Sequence, residues 1–169
     1  MSAPAAPLRK SSFAPVADPS ARLLILGSLP GEMSLRIGQY YGNPQNQFWR
    51  LMGVALGRDL PEPYEARLAA LRGAGVALWD VVRSAVRAGS LDAQIRAHQP
   101  NALAAFVATL PRLQAVAFNG KTSAAIGRRA LAGVERLALI ALPSSSPAFT
   151  LAFERKAEAW GQLRRFLEM

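Results

Sequence analysis

The sequence contains no cysteine and only one histidine, His98. The lack of cysteine excludes disulfide bonds, thiol catalysis and cysteine-ligated zinc or iron–sulfur clusters. His98 lies in a polar stretch just before Pro100, and no serine has the surroundings of a hydrolase nucleophile. A catalytic site would therefore be built from Asn, Asp, Glu, Ser, Lys, Tyr and backbone groups, and we expect neither a metal ion nor another cofactor.

Acidic residues are scarce. The chain has 11 Asp and Glu against 20 Lys and Arg, which gives a formal net charge of +9. An excess of positive charge on this scale favours a polyanionic partner. Charge alone leaves both nucleic acid and an anionic membrane surface open.

Long apolar runs are also missing. The longest, at residues 23–26 and 137–142, are far shorter than the roughly 20 residues that span a bilayer, so we expect no membrane protein. Residues 1–21 are rich in Ala, Pro and Ser and have no secretory-signal core, which predicts a disordered or extended arm whose Arg9 and Lys10 are solvated or contact phosphates. Residues 22–169 are long enough for a single domain with a substantial core.

Short apolar segments alternate with helical patterns along this domain. Strands separated by helices pair in parallel through right-handed crossovers, which predicts a three-layer α/β/α sandwich around a four-stranded, mainly parallel sheet. In such sheets the ligand binds beyond the carboxyl ends of the strands. The strands are predicted at 23–26, 75–79, 113–118 and 134–142, and the helices at 47–56, 64–71, 101–110, 121–131 and 150–167.

Each predicted strand is followed by a motif. Residues 27–31 read GSLPG and residues 39–49 read QYYGNPQNQFW, so that glycines allow backbone amides to approach a ligand and paired tyrosines offer a stacking surface. The other strand ends carry LWDVV at 78–82, FNGK at 118–121 and LPSSSP at 142–147. The Gly-Lys pair is a poor match to a P-loop, because Ala115 stands where that motif needs a glycine.

Taken in this order, the motifs resemble those of the uracil-DNA glycosylase superfamily, and most closely its hypoxanthine-DNA (deoxyinosine) glycosylase branch. The resemblance covers roughly residues 22–168. It implies a monofunctional enzyme of base excision repair, which flips a deaminated base out of DNA and hydrolyses its N-glycosidic bond to leave an abasic site.

One position departs from the common pattern. Many members of the superfamily carry a catalytic Asp or Asn where this chain has Leu29, and an aliphatic side chain cannot position water. The hypoxanthine branch shares this lack, and the resemblance implies Asn46 as the catalytic residue. Asn46 could also cap the helix that starts near Gln47. Tyr41 aligns with the aromatic residue that stacks on the flipped base, with core packing as the alternative.

Asp80 is the implied reader of the base edge. A carboxylate accepts hydrogen bonds and cannot donate them, so it could bind the N1–H of hypoxanthine and would repel the bare N1 of adenine. The alternative makes Asp80 the cap of a helix over residues 81–87.

The remaining site residues follow from the same resemblance. Gly27, Ser28, Leu29 and Asn119 are expected around the base, with backbone amides of the first loop as donors. The predicted DNA-contacting residues are Lys121, Ser144, Ser145, Ser146 and Pro147. Further phosphate contacts could come from Arg83, Arg87, Arg128, Arg129, Arg155, Lys156, Arg164 and Arg165.

Two rival functions remain open. Neighbouring branches share the aromatic loop, so the chain could be a uracil or G:U mismatch glycosylase, and Leu29 leaves room for a catalytically weak damaged-base DNA-binding protein. The expected partner is DNA containing deaminated bases, with no membrane and no metal. We expect a monomer in the cytoplasm, associated with the nucleoid.

Overall fold

The computed structural model describes residues 8–167, so the first seven residues of the predicted arm lie outside the described part. Within it no helix is long and apolar enough to cross a bilayer. The elements in chain order are β1 Arg9–Ser11, β2 Leu23–Gly27, α1 Glu32–Ile37, α2 Phe48–Leu56, α3 Tyr64–Gly73, β3 Val76–Asp80, β4 Val82–Val86, a 3₁₀ helix Asp92–Gln94, β5 Arg96–Pro100, α4 Leu103–Ala108, β6 Ala115–Asn119, α5 Lys121–Ala130, β7 Ala138–Leu142, α6 Phe153–Gly161 and a 3₁₀ helix Gln162–Phe166.

The central sheet has four strands in the order β3-β2-β6-β7, all parallel. Leu23, the first residue of β2, pairs with Val76 of β3 and Ala115 of β6. All five residues of β2 are buried, as its continuous apolar sequence predicts for an inner strand of a parallel sheet. The predicted four-stranded sheet is therefore confirmed.

The two faces of the sheet bury separate apolar clusters. Because successive side chains of a strand point to opposite faces, Leu23 and Ile25 pack with α2, α3 and α6, whereas Leu24 and Leu26 pack with α4 and α5. Trp160 of α6 is fully buried in the first cluster. This arrangement confirms the three-layer α/β/α sandwich.

A second sheet, β1-β4-β5, is antiparallel and was not predicted. The alternative that placed a helix over residues 81–87 was wrong, because residues 82–86 form β4, and Asp80 caps no helix. Val82 and Ala85 are buried in this strand while Arg83 is exposed. Only Val81 separates β3 from β4, so the sequence offers no turn signal between them.

The described part of the predicted arm, residues 8–21, runs against the domain. Arg9 pairs with Val86 through the β1–β4 ladder, and its guanidinium donates to the backbone oxygens of Ser84 and Ala97. The ammonium group of Lys10 forms an ion pair with Glu32. Both basic side chains are therefore held by protein groups.

Some predicted boundaries were too long. The last strand was predicted from residue 134 and begins at Ala138, because residues 131–137 form turns. The final helix was predicted over 150–167; the α-helix covers Phe153–Gly161 and then tightens into a 3₁₀ helix. Such shifts at the ends of elements leave the carboxyl edge of the sheet where it was expected.

Helix α5 packs directly on β6 at Gly127, which is fully buried. A Cβ at this position would overlap the ring of Phe118. We therefore expect Gly127→Ala to destabilise the protein by about 1–3 kcal/mol and to lower the Tm by several degrees in thermal unfolding. Gly133→Ala is the matched control, because a Cβ there meets nothing within 4 Å. An unchanged Tm for Gly127→Ala would contradict this close packing.

Candidate active site

A cavity of about 410 Å³ opens at the carboxyl ends of the parallel strands. Every predicted site residue except Lys121 lines it. Its lining includes Gly27, Ser28, Leu29, Glu32, Tyr41, Asn46, Asp80, Asp92, Asn119, Ser144, Ser145, Ser146, Pro147 and Phe149.

Gly27 ends β2 and brings the backbone close to two polar side chains. A Cβ at Gly27 would lie 2.5 Å from Asp80 Oδ1 and 3.0 Å from the hydroxyl oxygen of Tyr41. Glycine is therefore required for Asp80 and Tyr41 to lie over this strand end. The backbone N–H groups of Ser28 and Leu29, which follow, have no acceptor among the described residues. Both residues line the cavity, and their N–H groups are not engaged by the described protein.

Asp80 is 4% exposed, and its carboxyl group has no hydrogen-bond donor within residues 8–167; Oδ2 is fully buried. Burial raises the pKa of Asp80 to about 7, and the negative charge of Asp92 acts in the same direction. The guanidinium of Arg87 opposes the rise. Near neutral pH the cavity thus contains a carboxyl group that is poised between its two states and lacks a partner.

Tyr41 has a left-handed backbone conformation, with φ of 53°, which is uncommon for a bulky residue. Its ring stacks on Phe48, with centroids 3.7 Å apart and planes at 14°. Its hydroxyl oxygen accepts a hydrogen bond from Asn119 Nδ2 at 3.3 Å. Burial raises the pKa of Tyr41, so the phenol stays neutral. The ring is part of the aromatic core and also forms part of the cavity wall.

Ser145, 1% exposed, links two loops of the cavity. Its backbone N–H donates to Asn119 Oδ1 at 2.9 Å, and its hydroxyl accepts from Asn119 Nδ2 at 2.9 Å. The same hydroxyl donates to Asn46 Oδ1 at 2.8 Å. Asn119, Ser145 and Asn46 therefore form one hydrogen-bonded chain, and the hydroxyl of Ser145 is directed into this chain.

The amide of Asn46 is oriented by two donors. Oδ1 accepts from the backbone N–H of Phe48 at 2.9 Å as well as from Ser145. The alternative role of Asn46 as the helix cap is one residue off: Gln47 is the N-cap residue of α2, and Asn46, just before it, binds the N–H of Phe48 at the first turn. With both lone pairs of Oδ1 engaged, Asn46 offers only its Nδ2 donors to the cavity.

The loop after β7 is held by its own serines and by α6. Ser144 Oγ accepts from the N–H of Ser146 at 3.1 Å, and Ser146 Oγ accepts from the N–H of Ala148. Lys156 donates to the carbonyl of Ser146 at 3.2 Å and is 1% exposed. Its assignment as a phosphate contact was therefore wrong, because its ammonium group lies beneath the loop. Pro147 and Phe149 are exposed.

A fifth wall, the segment after β4, was missed by sequence reasoning. Arg87 is 1% exposed and donates to the carbonyls of Leu29, Pro30 and Gly89 at 3.3, 2.6 and 2.7 Å. Its assignment to DNA phosphate was wrong for that reason. Asp92 Oδ2 accepts from Ser28 Oγ at 2.8 Å. The only available signal was the cluster of Gly89, Ser90 and Asp92, which is typical of any loop.

Lys121 begins α5 on the outside of the cavity and is exposed. Gly120, just before it, has φ of 101°, and Ser144 lies against this turn. Arg83, Arg128, Arg129, Arg155, Arg164 and Arg165 are also exposed. In the described part of the chain, no group of three or more His, Asp or Glu side chains could hold a metal ion.

Known proteins resemble this chain in sequence and in fold. The model of the uracil DNA glycosylase superfamily matches residues 14–165. This chain belongs to the uracil DNA glycosylase superfamily. A protein of Methanosarcina barkeri named hypoxanthine DNA glycosylase is 44% identical over 117 residues, which are 69% of this chain and 74% of the relative.

Two proteins of Methanosarcina acetivorans extend the comparison. One, named hypoxanthine DNA glycosylase, is 42% identical over 113 residues, 66% of this chain and 72% of its own length. The other is known from a solution NMR structure as a proposed uracil DNA glycosylase; it is 35% identical, with a TM-score of 0.85, and the match covers 95% of this chain and all of that one. The superfamily and its fold are thus shown over almost the whole chain.

The raised pKa of Asp80 predicts a pH-dependent effect on stability. The folded protein binds this proton more tightly than the unfolded chain, so stability is lost as pH rises from the ordinary value of 3.8 through about 7. Asp80→Asn removes the cost of the buried charge. We expect it to raise the Tm by several degrees more at pH 8 than at pH 5, since each unit of pKa shift is worth about 1.4 kcal/mol.

Thermal unfolding of both proteins at the two pH values measures this difference. Asp59→Asn, at an exposed position, makes the same change of charge away from the cavity and should show no such pH dependence. An equal effect of Asp80→Asn at pH 5 and pH 8 would show that the Asp80 pKa is not raised.

Proposed function

We propose that this protein is a monofunctional DNA glycosylase that flips a deaminated base, preferentially hypoxanthine, out of DNA and hydrolyses its N-glycosidic bond to leave an abasic site. The observation that carries the proposal is the buried carboxyl group of Asp80, which lacks a partner and lines the cavity. The names of the two curated relatives support the same activity.

Recognition depends on the hydrogen-bonding edge of the base. Deamination of adenine replaces a bare N1 acceptor by an N1–H donor, and the carboxylate of Asp80 can accept a hydrogen bond from this group. The N–H groups of Ser28 and Leu29 are available for the neighbouring O6 atom. Hypoxanthine thus supplies the donor that Asp80 lacks and stabilises the ionised form of Asp80. Adenine would instead place its N1 acceptor against the carboxylate, which is also an acceptor.

Access to the cavity requires the nucleotide to leave the stack. Extrusion costs a few kcal/mol and is easiest when the pair is already a mismatch, as a deaminated base creates. Tyr41, which Phe48 supports on one face, is proposed to stack on the extruded base. Asn46 is proposed to hold the attacking water through its Nδ2 group, because its Oδ1 is already engaged.

DNA contacts are proposed around the mouth of the cavity. Ser144, Ser146 and Pro147 belong to the loop that would enter the minor groove, and Lys121 at the start of α5 would contact a phosphate. Residues 8–167 contain one ion pair, Lys10 with Glu32, so most of the positive charge stays available for DNA. No lysine of the described part of the chain lines the cavity, which supports an intact abasic product over Schiff-base strand cleavage.

A panel of duplexes tests the activity. Inosine, uracil or xanthine is placed opposite each normal base, and the duplexes are incubated with the protein and then treated with alkali, which breaks the strand at abasic sites. We expect breakage at inosine and none without alkali. Breakage at uracil instead would identify a uracil or mismatch glycosylase. Tight binding without breakage would identify a damaged-base binding protein, and undamaged duplexes provide the baseline.

Asp80→Asn tests the recognition step. The neutral amide removes the charge from the hydrogen bond to N1–H, so we expect kcat/KM for inosine to fall by about 10- to 100-fold, since such a charge contributes about 1.5–3 kcal/mol. The wild-type kcat/KM should rise with pH through about 7, where Asp80 ionises, and the variant should lose this step. Asp59→Asn again provides the charge-matched control. A variant with the wild-type rate and pH profile would remove Asp80 from base recognition.

A further inference from the structure

Hydrolysis of an N-glycosidic bond, the proposed function on which this inference rests, releases a proton from the attacking water. Some group must accept that proton. The water oxygen bonds to C1′ of the sugar while the bond from C1′ to the base nitrogen breaks, and its electron pair leaves with the base. The attacking water must also lose a proton. A group with a suitable pKa beside the reacting carbon accelerates such a step.

Asn46 cannot be this acceptor. The backbone N–H of Phe48 can only donate, so the atom that faces it at 2.9 Å is Oδ1 of Asn46. The second lone pair of this oxygen is occupied by the hydroxyl of Ser145. Asn46 can hold a water molecule as a donor, but the proton must go to another group.

Among residues 8–167, three carboxyl groups line the cavity: Glu32, Asp80 and Asp92. Glu32 is paired with Lys10, whose hydrogen bond lowers the pKa of Glu32 and makes it a weak base. Asp80 is the group proposed to read the base edge, and its Oδ2 is fully buried. Asp92 has no role so far.

The position of Asp92 suits a base. It begins the short helix Asp92–Gln94 and crosses to the first loop, where Oδ2 accepts from Ser28 Oγ at 2.8 Å. Oδ1 has no donor among the described residues and, unlike Asp80 Oδ2, is not buried. Ser28 precedes Leu29, the aliphatic residue at the position where many members of the superfamily carry a catalytic Asp or Asn. Asp92 therefore brings a carboxylate from a distant segment to this turn.

Two neighbours set the charge state of Asp92. Burial raises its pKa, which strengthens it as a base, while the hydrogen bond from Ser28 and the charge of Arg87 limit the rise. Arg87 also ties the first loop to the segment before Asp92, through the carbonyls of Leu29 and Gly89. Ser28 therefore holds one oxygen of the carboxylate, and Arg87 holds the segment that precedes it.

We propose that Asp92 is the catalytic base of this enzyme. Its carboxylate accepts a proton from the attacking water as the water oxygen bonds to C1′, and Ser28 fixes the orientation of the carboxylate. The excised nucleobase departs with the electron pair of the broken bond and takes a proton from solvent. Asp92 then releases the proton that it accepted to solvent.

Asp92→Asn tests this assignment in the full chain. The amide keeps the size of the side chain and an acceptor for Ser28, but it cannot take a proton. With enzyme in excess over an inosine duplex, we expect the single-turnover rate to fall by about 100-fold or more. The affinity for a duplex with a 2′-fluoro-substituted deoxyinosine, which resists hydrolysis, and the Tm should stay close to the wild-type values. Asp59→Asn is the matched control.

The outcomes separate this inference from the proposed function. A wild-type protein inactive on every damaged duplex would overturn both. An active wild type with an Asp92→Asn rate within about threefold, or with a rate lost only in proportion to affinity, would overturn the role of Asp92 alone. If Asp92→Asn does not fold, Ser28→Ala decides: a rate lowered about 10-fold at unchanged affinity supports the assignment, and an unchanged rate overturns it.

Discussion

The carboxyl group of Asp80 is almost wholly buried and meets no protein donor in the described chain, and the geometry of the site depends on this arrangement. Gly27 leaves the space in which Asp80 and Tyr41 approach the strand end. Burying a carboxyl group without a partner is unfavourable for folding, so the site retains a local cost that a ligand with an N–H donor would relieve. A strained polar group of this kind is typical of a binding site rather than of a structural core.

Hydrogen bonds between distant segments hold the walls around Asp80. Ser145 joins the loops after β6 and β7 to the loop before α2, through Asn119 and Asn46. Arg87 and Asp92 join the segment after β4 to the first loop. Because each wall is tied to a neighbour by buried polar contacts, the cavity is formed before a ligand enters and loses little conformational freedom on binding.

The sequence was sufficient for the parallel sheet and for most of the cavity, because buried strands, glycine turns and strand ends obey local rules. It was insufficient for the antiparallel sheet, since β4 follows β3 after a single residue, Val81. The contact between Ser28 and Asp92 spans 64 residues of sequence and has no local signal. Arg87 is a second contact that the sequence does not reveal, because the residues next to it in sequence do not distinguish a buried guanidinium that binds carbonyls from a surface arginine.

The chemistry of Asp80 also limits what this residue can select. A carboxylate rejects adenine and neutral cytosine, whose ring nitrogens are bare acceptors, but guanine and thymine carry ring N–H donors as hypoxanthine and uracil do. Exclusion of these normal bases must therefore come from the cost of breaking a normal pair and from the cavity walls. Those walls belong to the first loop, the Tyr41 ring and the loop after β7. In the proposed recognition, Asp80 thus selects the hydrogen-bonding class of the base, and the surrounding loops select the member.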